Sequence, residues 1–452
     1  MATATNPSFS ILLLGAGRSA TALIGYLAGL HQQHGWPVTV ADASEALAIH
    51  KTVQYPGIKA AALDVNNAEA AQALIMDHQL VISLLPPPMH PMVAGWCLQH
   101  QKHLITASYL SDAMLAFDQQ AKDAGVLFLN ECGLDPGIDH LSAMKVIDEL
   151  KAEGAIITRF ASYCGGLIAP ESDNNPWNYK ITWNPMNVVL AGQGGITKFL
   201  DQGQLKYVPY AQLFGQATAV SVKGMGLFDA YPNRDSVGYV RTYGLDGIQT
   251  FIRGTLRRQG YCTAWQALVT LGYTDNTYTW PLTEETTWAE VTASFVPKAA
   301  IGTDLRQATA QYLGLSTDDI VLDKLEWLGL FEDTPVRLMA DTPAKLLLAR
   351  LEAKWVLAPD DKDLVVMQHQ FDYTKADGSR HTRLADLAFV GQTQEMTAMA
   401  MGVGYPIGIA AKLIGLGVLK QTGVQIPLTP DYYEPILAEL ITLGISFDEY
   451  EV

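Results

Sequence analysis

The chain has 452 residues, 49% of them apolar and 17% charged. At ~150 residues per domain it has room for two or three domains, and it is too apolar to be intrinsically disordered. Thirty basic against 46 acidic residues leave a net charge of -16, which speaks against nucleic acid, whose phosphates need a basic footprint.

No run of ~18 consecutive apolar residues is present, so no membrane-spanning helix is expected. Met1–Ser10 has neither a basic start nor an apolar core, so no secretory signal is expected. The four cysteines (Cys97, Cys132, Cys164, Cys262) are far apart and form no CxxC pair. Disulfide frameworks and zinc ribbons need closer spacing, and a reduced, cytoplasmic compartment is the expectation.

The first 130 residues alternate short apolar strands with helical stretches. Strands are predicted at 10–14, 37–41, 80–85, 103–106 and 126–130, and helices at 20–30, 68–76, 92–100 and 112–124. This alternation implies βαβ units and a parallel sheet. From 156 to 254 glycine, asparagine and aromatic residues become frequent, and the strands are expected to be short. The stretch 280–354 reads as helices at 288–295, 304–313, 322–330 and 343–357. Strands at 364–373 and 381–389 flank the turn-rich 375–379, a hairpin signal, and 394–417 returns to a helix of small residues. The fold class is therefore α/β, with a dinucleotide domain, a second α/β domain and a helical insertion.

Ile11-Leu-Leu-Leu-Gly15-Ala-Gly17-Arg18-Ser19-Ala20 is a strand running into GxGxxA and then a helix. Glycine suits the tight turn and the close approach of backbone to a pyrophosphate, and the helix N-terminus supplies free N–H donors. Asp42 ends the second strand, 22 residues after Ala20. A carboxylate there accepts from both ribose hydroxyls and repels a 2′-phosphate. NAD is therefore the expected cofactor, with NADP the alternative. Asp42 equally suits a cap on the helix beginning near Ser44. Ser83, Leu84 and Leu85 close the third strand, at the end that faces a cofactor crevice.

Ser108-Tyr109 follows the next strand on the same side. Gly133-Leu-Asp135-Pro-Gly-Ile-Asp-His140 follows the fifth, and there Asp135 can act as a ligand or as a helix cap. Polar residues among aromatics and glycines from Tyr163 to Asn184 suit a cleft lining or a plain loop. Cys164 has no flanking base and reads as a small buried thiol. Arg234, Arg241, Arg253, Arg257 and Arg258 fall within 25 residues of a chain with only 12 arginines. Such crowding points to an anionic ligand, which guanidinium binds bidentately, or to paired surface arginines. The ten histidines form no HExxH or comparable set, so no metal is expected.

At these motifs the sequence resembles saccharopine dehydrogenase of the L-glutamate-forming type. The matching stretches are Ser108-Tyr109, 133–140, 163–167 with 169–171, 231–236, 253–257, 363–369 and 402–406. The resemblance spans nearly the full chain. It implies a variant Rossmann dinucleotide-binding domain over 1–134, completed by 392–452. It also implies an α/β substrate-binding and dimerisation domain over 135–279 and 360–391, and a small all-helical domain over 280–359. The family's substrate contacts carry over to Ser108, Tyr109, Asp135, Arg234, Arg253, Gly254 and Thr255. Its cofactor contacts carry over to Gly15–Ser19, Ser83–Leu85, Asp112, Ala113, Met114 and Asn184. Two departures stand out. Asp42-Ala43-Ser44 replaces the Arg-Thr type of sequence found in NADP-using fungal members, and Ile168 replaces a proline before Ala169-Pro-Glu171.

The activity so implied interconverts saccharopine and water with L-glutamate and 2-aminoadipate 6-semialdehyde, coupled to NAD(P), in lysine metabolism and in the degradative direction. The partners expected are this small molecule and a second copy of the chain, with no nucleic acid and no membrane. Asp135, Tyr109, His140 and Lys180, in that order, are candidates for proton transfer. Carboxynorspermidine dehydrogenase or lysine 6-dehydrogenase on the same scaffold would need fewer arginines. A non-catalytic NAD-binding homologue would be expected to lose the substrate motifs.

Overall fold

The computed structural model describes residues 9–279, 281–297, 304–337 and 342–452. Trp280, where the helical stretch was expected to begin, and the first eight residues lie outside it. The strands are β1 (Ile11–Leu14), β2 (Val38–Asp42), β3 (Ile58–Ala62), β4 (Leu80–Ser83), β5 (His103–Thr106), β6 (Leu127–Leu129), β7 (Ile156–Ile168) and β8 (Thr197–Asp201). They continue with β9 (Gln204–Val208), β10 (Thr218–Val222), β11 (Gly226–Pro232), β12 (Thr250–Arg258), β13 (Asp363–Thr374), β14 (Arg380–Val390), β15 (Gly423–Gln425) and β16 (Asp448–Glu451). The chain divides into two compact units. Unit 1 comprises Met1–Ile156, Lys375–Asp377 and Leu387–Asp448, and unit 2 comprises Ile157–Thr374, Gly378–Asp386 and Glu449–Val452.

Unit 1 is built on a seven-stranded sheet in the order β15-β6-β5-β4-β1-β2-β3 among the described residues. All its pairs are parallel. The registers Leu14↔Ala41, Leu14↔Ser83 and Ser83↔Thr106 bring the carboxyl ends of the central strands level. The central strands β1 and β4 and the interior of β5 are buried aliphatic runs, as the middle of a parallel sheet requires. β3, absent from the sequence expectation, is an edge strand of half-exposed alanines with no apolar run to mark it. The helix expected over 112–124 is instead two short ones, Asp112–Leu115 and Asp118–Asp123.

Helix Ala398–Gly415 is apolar and long enough to suit a membrane span, yet 78% of it is buried inside the protein. It lies tightly on helix Ala20–His34. A Cβ on Gly404 would stand 2.7 Å from the Leu23 nitrogen, and one on Gly408 2.5 Å from the Tyr26 ring. Small residues therefore allow two helices to approach at backbone distance.

Among the described residues, unit 2 carries a nine-stranded sheet whose main path is β10-β11-β12-β7-β13-β14-β16, with β8 paired to β12 and β9 to β8. It is mixed: β12 runs parallel to β7 and antiparallel to β11. Its strands are not uniformly short, since β7 has 13 residues. Helices Trp288–Phe295, Leu305–Leu313, Ile320–Trp327 and Pro343–Lys354 share one apolar core with Trp177, Tyr261, Trp265 and Trp355.

Candidate active site

In unit 1 the glycine turn follows β1. Gly15 has φ +99°, and a Cβ there would meet the Leu84 carbonyl oxygen at 3.2 Å. Any other residue would be strained and would push against the neighbouring strand end. The following helix, Ala20–His34, starts at Ser19 with no side-chain cap and no acid in its first turn. Gly17 and Arg18 are exposed beside it. A helix N-terminus with no side-chain cap and a partial positive charge is suited to a pyrophosphate. The residues present thus fit a dinucleotide.

Asp42 closes β2 with both carboxylate oxygens engaged. Oδ2 accepts from the Ala16 N–H at 2.8 Å and Oδ1 from the Ser44 N–H at 2.9 Å. The acid therefore braces the glycine turn, while Ser44 itself caps helix Glu45–Thr52. Each carboxylate oxygen keeps lone-pair capacity for a further donor. Asp112 lies in the first turn of its helix, Ala113 is exposed, and Met114 is buried with its N–H taken by Ser111 Oγ at 3.2 Å.

The polar residues beyond β4, β5 and β6 interlock. Tyr109, half exposed, donates its hydroxyl to Asp135 Oδ1 at 3.3 Å. Asp135 does not start the next helix. That position belongs to Gly137, whose N–H is accepted by Asp139 Oδ1 at 2.6 Å. The Asp135–Pro136 peptide is cis. Gly137, at φ +146°, has no room for a Cβ, which would fall 1.9 Å from the Gly133 carbonyl oxygen. Glu131 is buried with φ +55°. Its N–H donates to the Ser108 carbonyl, its Oε1 accepts from the Leu110 N–H at 2.8 Å, and its Oε2 meets His140 Nε2 at 2.7 Å. His140 is wholly buried against this carboxylate. It is thus removed from the role of proton donor to a ligand, and it anchors the loop that presents Ser108 and Tyr109.

Sequence reasoning missed Glu131 and also His90, whose ring lies between Ser83, Thr106 and Ser108. Burial pushes the His90 imidazole down to about 4. The only signal for it was a histidine directly after Pro86-Pro-Pro-Met89, at the start of a helix.

In unit 2, β12 carries Arg253, Thr255 and Arg257, which strand alternation places on one face. Asn233 N–H donates to the Arg253 carbonyl at 2.7 Å, Thr255 Oγ1 to Asn233 Oδ1 at 2.7 Å, and Arg253 N–H to Ser236 Oγ at 2.9 Å. The loop bearing Arg234 is thereby stitched to the strand bearing Arg253, so two arginines distant in sequence become neighbours. Gly254 allows the crossing, since a Cβ would stand 2.7 Å from the Tyr231 carbonyl oxygen. Arg253 is buried over the Tyr239 ring at 4.2 Å, and Arg234 is exposed.

The arginine cluster does not act as one group. Arg257 is buried among Tyr179, Tyr231 and Tyr261, donating to the Leu256 carbonyl, and Arg258 lies over Phe228. Asn184 caps the short helix Pro185–Val189 through its carboxamide oxygen. Lys180 is buried and paired with Asp361. A cavity of about 670 Å³ opens in this unit beside Arg159, Tyr163, Tyr207 and Gln370; Tyr163, from the stretch expected to line a cleft, is on its wall, whereas the residues anticipated to contact substrate or cofactor are not. The four cysteines are buried and carry no disulfide. No cluster of three or more metal-ligating side chains occurs among the described residues.

Two family models cover almost the whole chain. The saccharopine dehydrogenase NADP binding domain matches residues 11–129, and the saccharopine dehydrogenase C-terminal domain matches residues 133–445. The chain belongs to the saccharopine dehydrogenase family. It is 35% identical over 447 residues to the saccharopine dehydrogenase [NADP(+), L-glutamate-forming] of Schizosaccharomyces pombe, covering 97% of this chain and 98% of that one. It is 32% identical over 443 residues to the mitochondrial alpha-aminoadipic semialdehyde synthase of Mus musculus, and spans 47% of that longer protein. The structure of the apo L-Glu-forming saccharopine dehydrogenase from Saccharomyces cerevisiae superposes with a TM-score of 0.90 at 33% identity, covering 98% of this chain and all of the other. The α/β fold read from the sequence is thus the family's fold.

Proposed function

We propose that this chain is a nicotinamide-dinucleotide-dependent saccharopine dehydrogenase of the L-glutamate-forming type, working in lysine metabolism in the oxidative direction. The observation that carries the reading is a juxtaposition. Ser108, Tyr109 and Asp135 stand at the same strand-end edge as the uncapped Gly15–Ser19 turn. The near-complete match to relatives of that name supports it.

A dinucleotide would be held by the Gly15–Ser19 turn, the Ser83–Leu85 strand end and Asp42. Its nicotinamide supplies the hydride acceptor for the carbon beside the secondary amine of saccharopine. The imine that remains adds water, and the resulting carbinolamine splits into L-glutamate and 2-aminoadipate 6-semialdehyde. In unit 2, Arg234 and Arg253 carry the guanidinium chemistry that suits a carboxylate. The Tyr109 hydroxyl donates to Asp135, and this pair is the proposed acceptor for the proton of the amine and of the attacking water. An Asp135→Asn variant with unchanged kcat would remove Asp135 from that role.

As coenzyme we propose NAD, on the strength of Asp42, although the fungal relatives carry NADP(+) in their names. The test follows absorbance at 340 nm with saccharopine and either coenzyme in parallel. Reduction of NAD at the higher kcat/KM is expected. Preference for NADP would overturn the coenzyme assignment alone, and no signal with either, in both directions, would overturn the activity.

A further inference from the structure

His90 opens helix His90–Gln99 just after the Pro86–Pro88 turn and is 2% exposed. Its Nδ1 lies 3.0 Å from Ser83 Oγ, and its Nε2 lies 2.8 Å from Ser108 Oγ and 3.1 Å from Thr106 Oγ1. Ser83 and Thr106 are register partners on β4 and β5. The imidazole therefore clamps two adjacent strand ends and reaches the serine just beyond them. Thr106 Oγ1 also accepts the Ser108 N–H at 3.1 Å, which ties Ser108 down by its backbone as well.

The proton positions follow from satisfaction of buried groups. Ser83 is fully buried, and its hydroxyl bonds only to His90 among the described residues. A neutral imidazole offers one acceptor nitrogen to two buried hydroxyls, and we assign it to the Ser83 O–H, because Ser83 Oγ has no other partner among the described residues whereas Thr106 Oγ1 also accepts the Ser108 N–H. The ring proton is then on Nε2, aimed at Ser108 Oγ with Thr106 as the longer contact.

We propose that His90 is a positioning residue for the reaction: as the neutral Nε2–H tautomer it donates to Ser108 Oγ, so that Ser108 keeps its own proton to give to a carboxylate of the substrate. The inference rests on the reading of Ser108 as a substrate contact given above. Burial holds the ring neutral at physiological pH, and no carboxylate is among its hydrogen-bond partners in the described residues.

The experiment compares KM and kcat of the full chain with those of His90→Asn, His90→Gln, Ser108→Ala and the double variant His90→Asn/Ser108→Ala, each checked for folding by thermal unfolding. His90→Asn is expected to raise KM for saccharopine about tenfold or more, the scale of one hydrogen bond to a charged group. The coenzyme KM should stay within about twofold of the parent value, since no contact to the glycine turn is lost. His90→Gln, whose amide nitrogen can take the place of Nε2–H, should recover most of the loss. In the Ser108→Ala background, His90→Asn should add nothing, because the group it orients is gone.

Additive effects of the two substitutions, or equal losses in the Gln and Asn variants, would overturn the proposal. A parent protein inactive on saccharopine would instead defeat the activity assignment, so a second measurement does not use substrate. Nitrogen-15 NMR of histidine-labelled protein, with the His90 signal identified by its absence in His90→Gln, reads the tautomer directly. Nε2–H at neutral pH is expected, and Nδ1–H or the imidazolium would overturn the proposal.

Discussion

The parallel sheet of unit 1 collects its polar side chains where the strands end, whereas the mixed sheet of unit 2 carries them along a strand. In unit 1, Asp42, Ser83, Thr106 and Ser108 lie at or just past the carboxyl ends of β2, β4 and β5, and nearby elements supply their partners. In unit 2, Arg253 and Arg257 sit within β12, buried over tyrosine rings. The first arrangement follows from topology, because every crossover in a parallel sheet delivers a loop to the same edge. The second follows from local packing, in which aromatic faces attract and shield a guanidinium. Substitutions in the two units should therefore fail in different ways.

The largest effect is expected at Gly137. An alanine Cβ would lie 1.9 Å from the Gly133 carbonyl oxygen, at a φ that L-residues avoid. Gly137→Ala should cost more than ~4 kcal/mol or yield no folded protein, since clash and backbone strain add. Chemical denaturation, or the soluble yield, measures this. A variant of near-parental stability would show that the loop tolerates another path. The counterpart in unit 2 is the buried Lys180–Asp361 pair. Asp361→Asn leaves the ammonium without its charge partner and should cost about 3 kcal/mol. Replacing both residues by apolar ones of similar volume should recover much of that, a contrast that Gly137 cannot show.

Next in size is an acid effect confined to unit 1. The His90 imidazole is held down to about 4 by burial, from an ordinary value of 6.5. Above 6.5 both folded and unfolded chains carry it neutral, and its contribution to stability is complete. Between 6.5 and 4 the unfolded chain binds the proton and the folded chain does not, so stability falls as pH falls. The loss from this group is at most on the order of 3 kcal/mol. Thermal unfolding at several pH values, for the parent and for His90→Gln, should show a shallower acid slope in the variant. Equal slopes would mean that His90 titrates as freely as it does in the unfolded chain.

How much of this was legible in the sequence differs between the units for physical reasons. The glycine turn, Asp42 and the central strands of unit 1 announce themselves because a parallel strand buried on both faces is a continuous aliphatic run. β3 escaped because an edge strand of alanines has no such run. In unit 2, the glycines of Tyr163-Cys-Gly-Gly-Leu167 read as a loop but lie inside β7. A Cβ on Gly165 would stand 2.7 Å from the Leu256 carbonyl oxygen, so the glycine serves close strand contact rather than a turn. The arginine cluster read as an anion site or as paired surface arginines, but a single residue step along β12 turns Arg258 toward Phe228 while Arg257 enters the tyrosine core. His90 and Glu131 were not legible because their partners are hydroxyls, backbone groups and another buried imidazole, most of them 16 to 23 positions away.

The smallest expected effect is at Asp42, and it bears on function rather than stability alone. Its carboxylate ends β2 and braces the glycine turn through the Ala16 N–H. A 2′-phosphate brought to that strand end would meet a fixed negative charge with its oxygens already turned to backbone donors. Repulsion of this kind is worth about 1–2 kcal/mol near a surface, or roughly tenfold in relative affinity. Asp42→Ser removes the charge and leaves a hydroxyl that can still accept from a backbone N–H. It should therefore move the ratio of kcat/KM for NAD over NADP toward NADP by about tenfold, mostly through the coenzyme KM. Asp42→Asn removes the same charge and keeps one oxygen for the Ala16 N–H while turning its NH2 toward the Ser44 N–H, so it should shift the ratio similarly. If both variants lose activity equally with the two coenzymes, Asp42 serves the turn alone, and coenzyme choice is made elsewhere at the sheet edge.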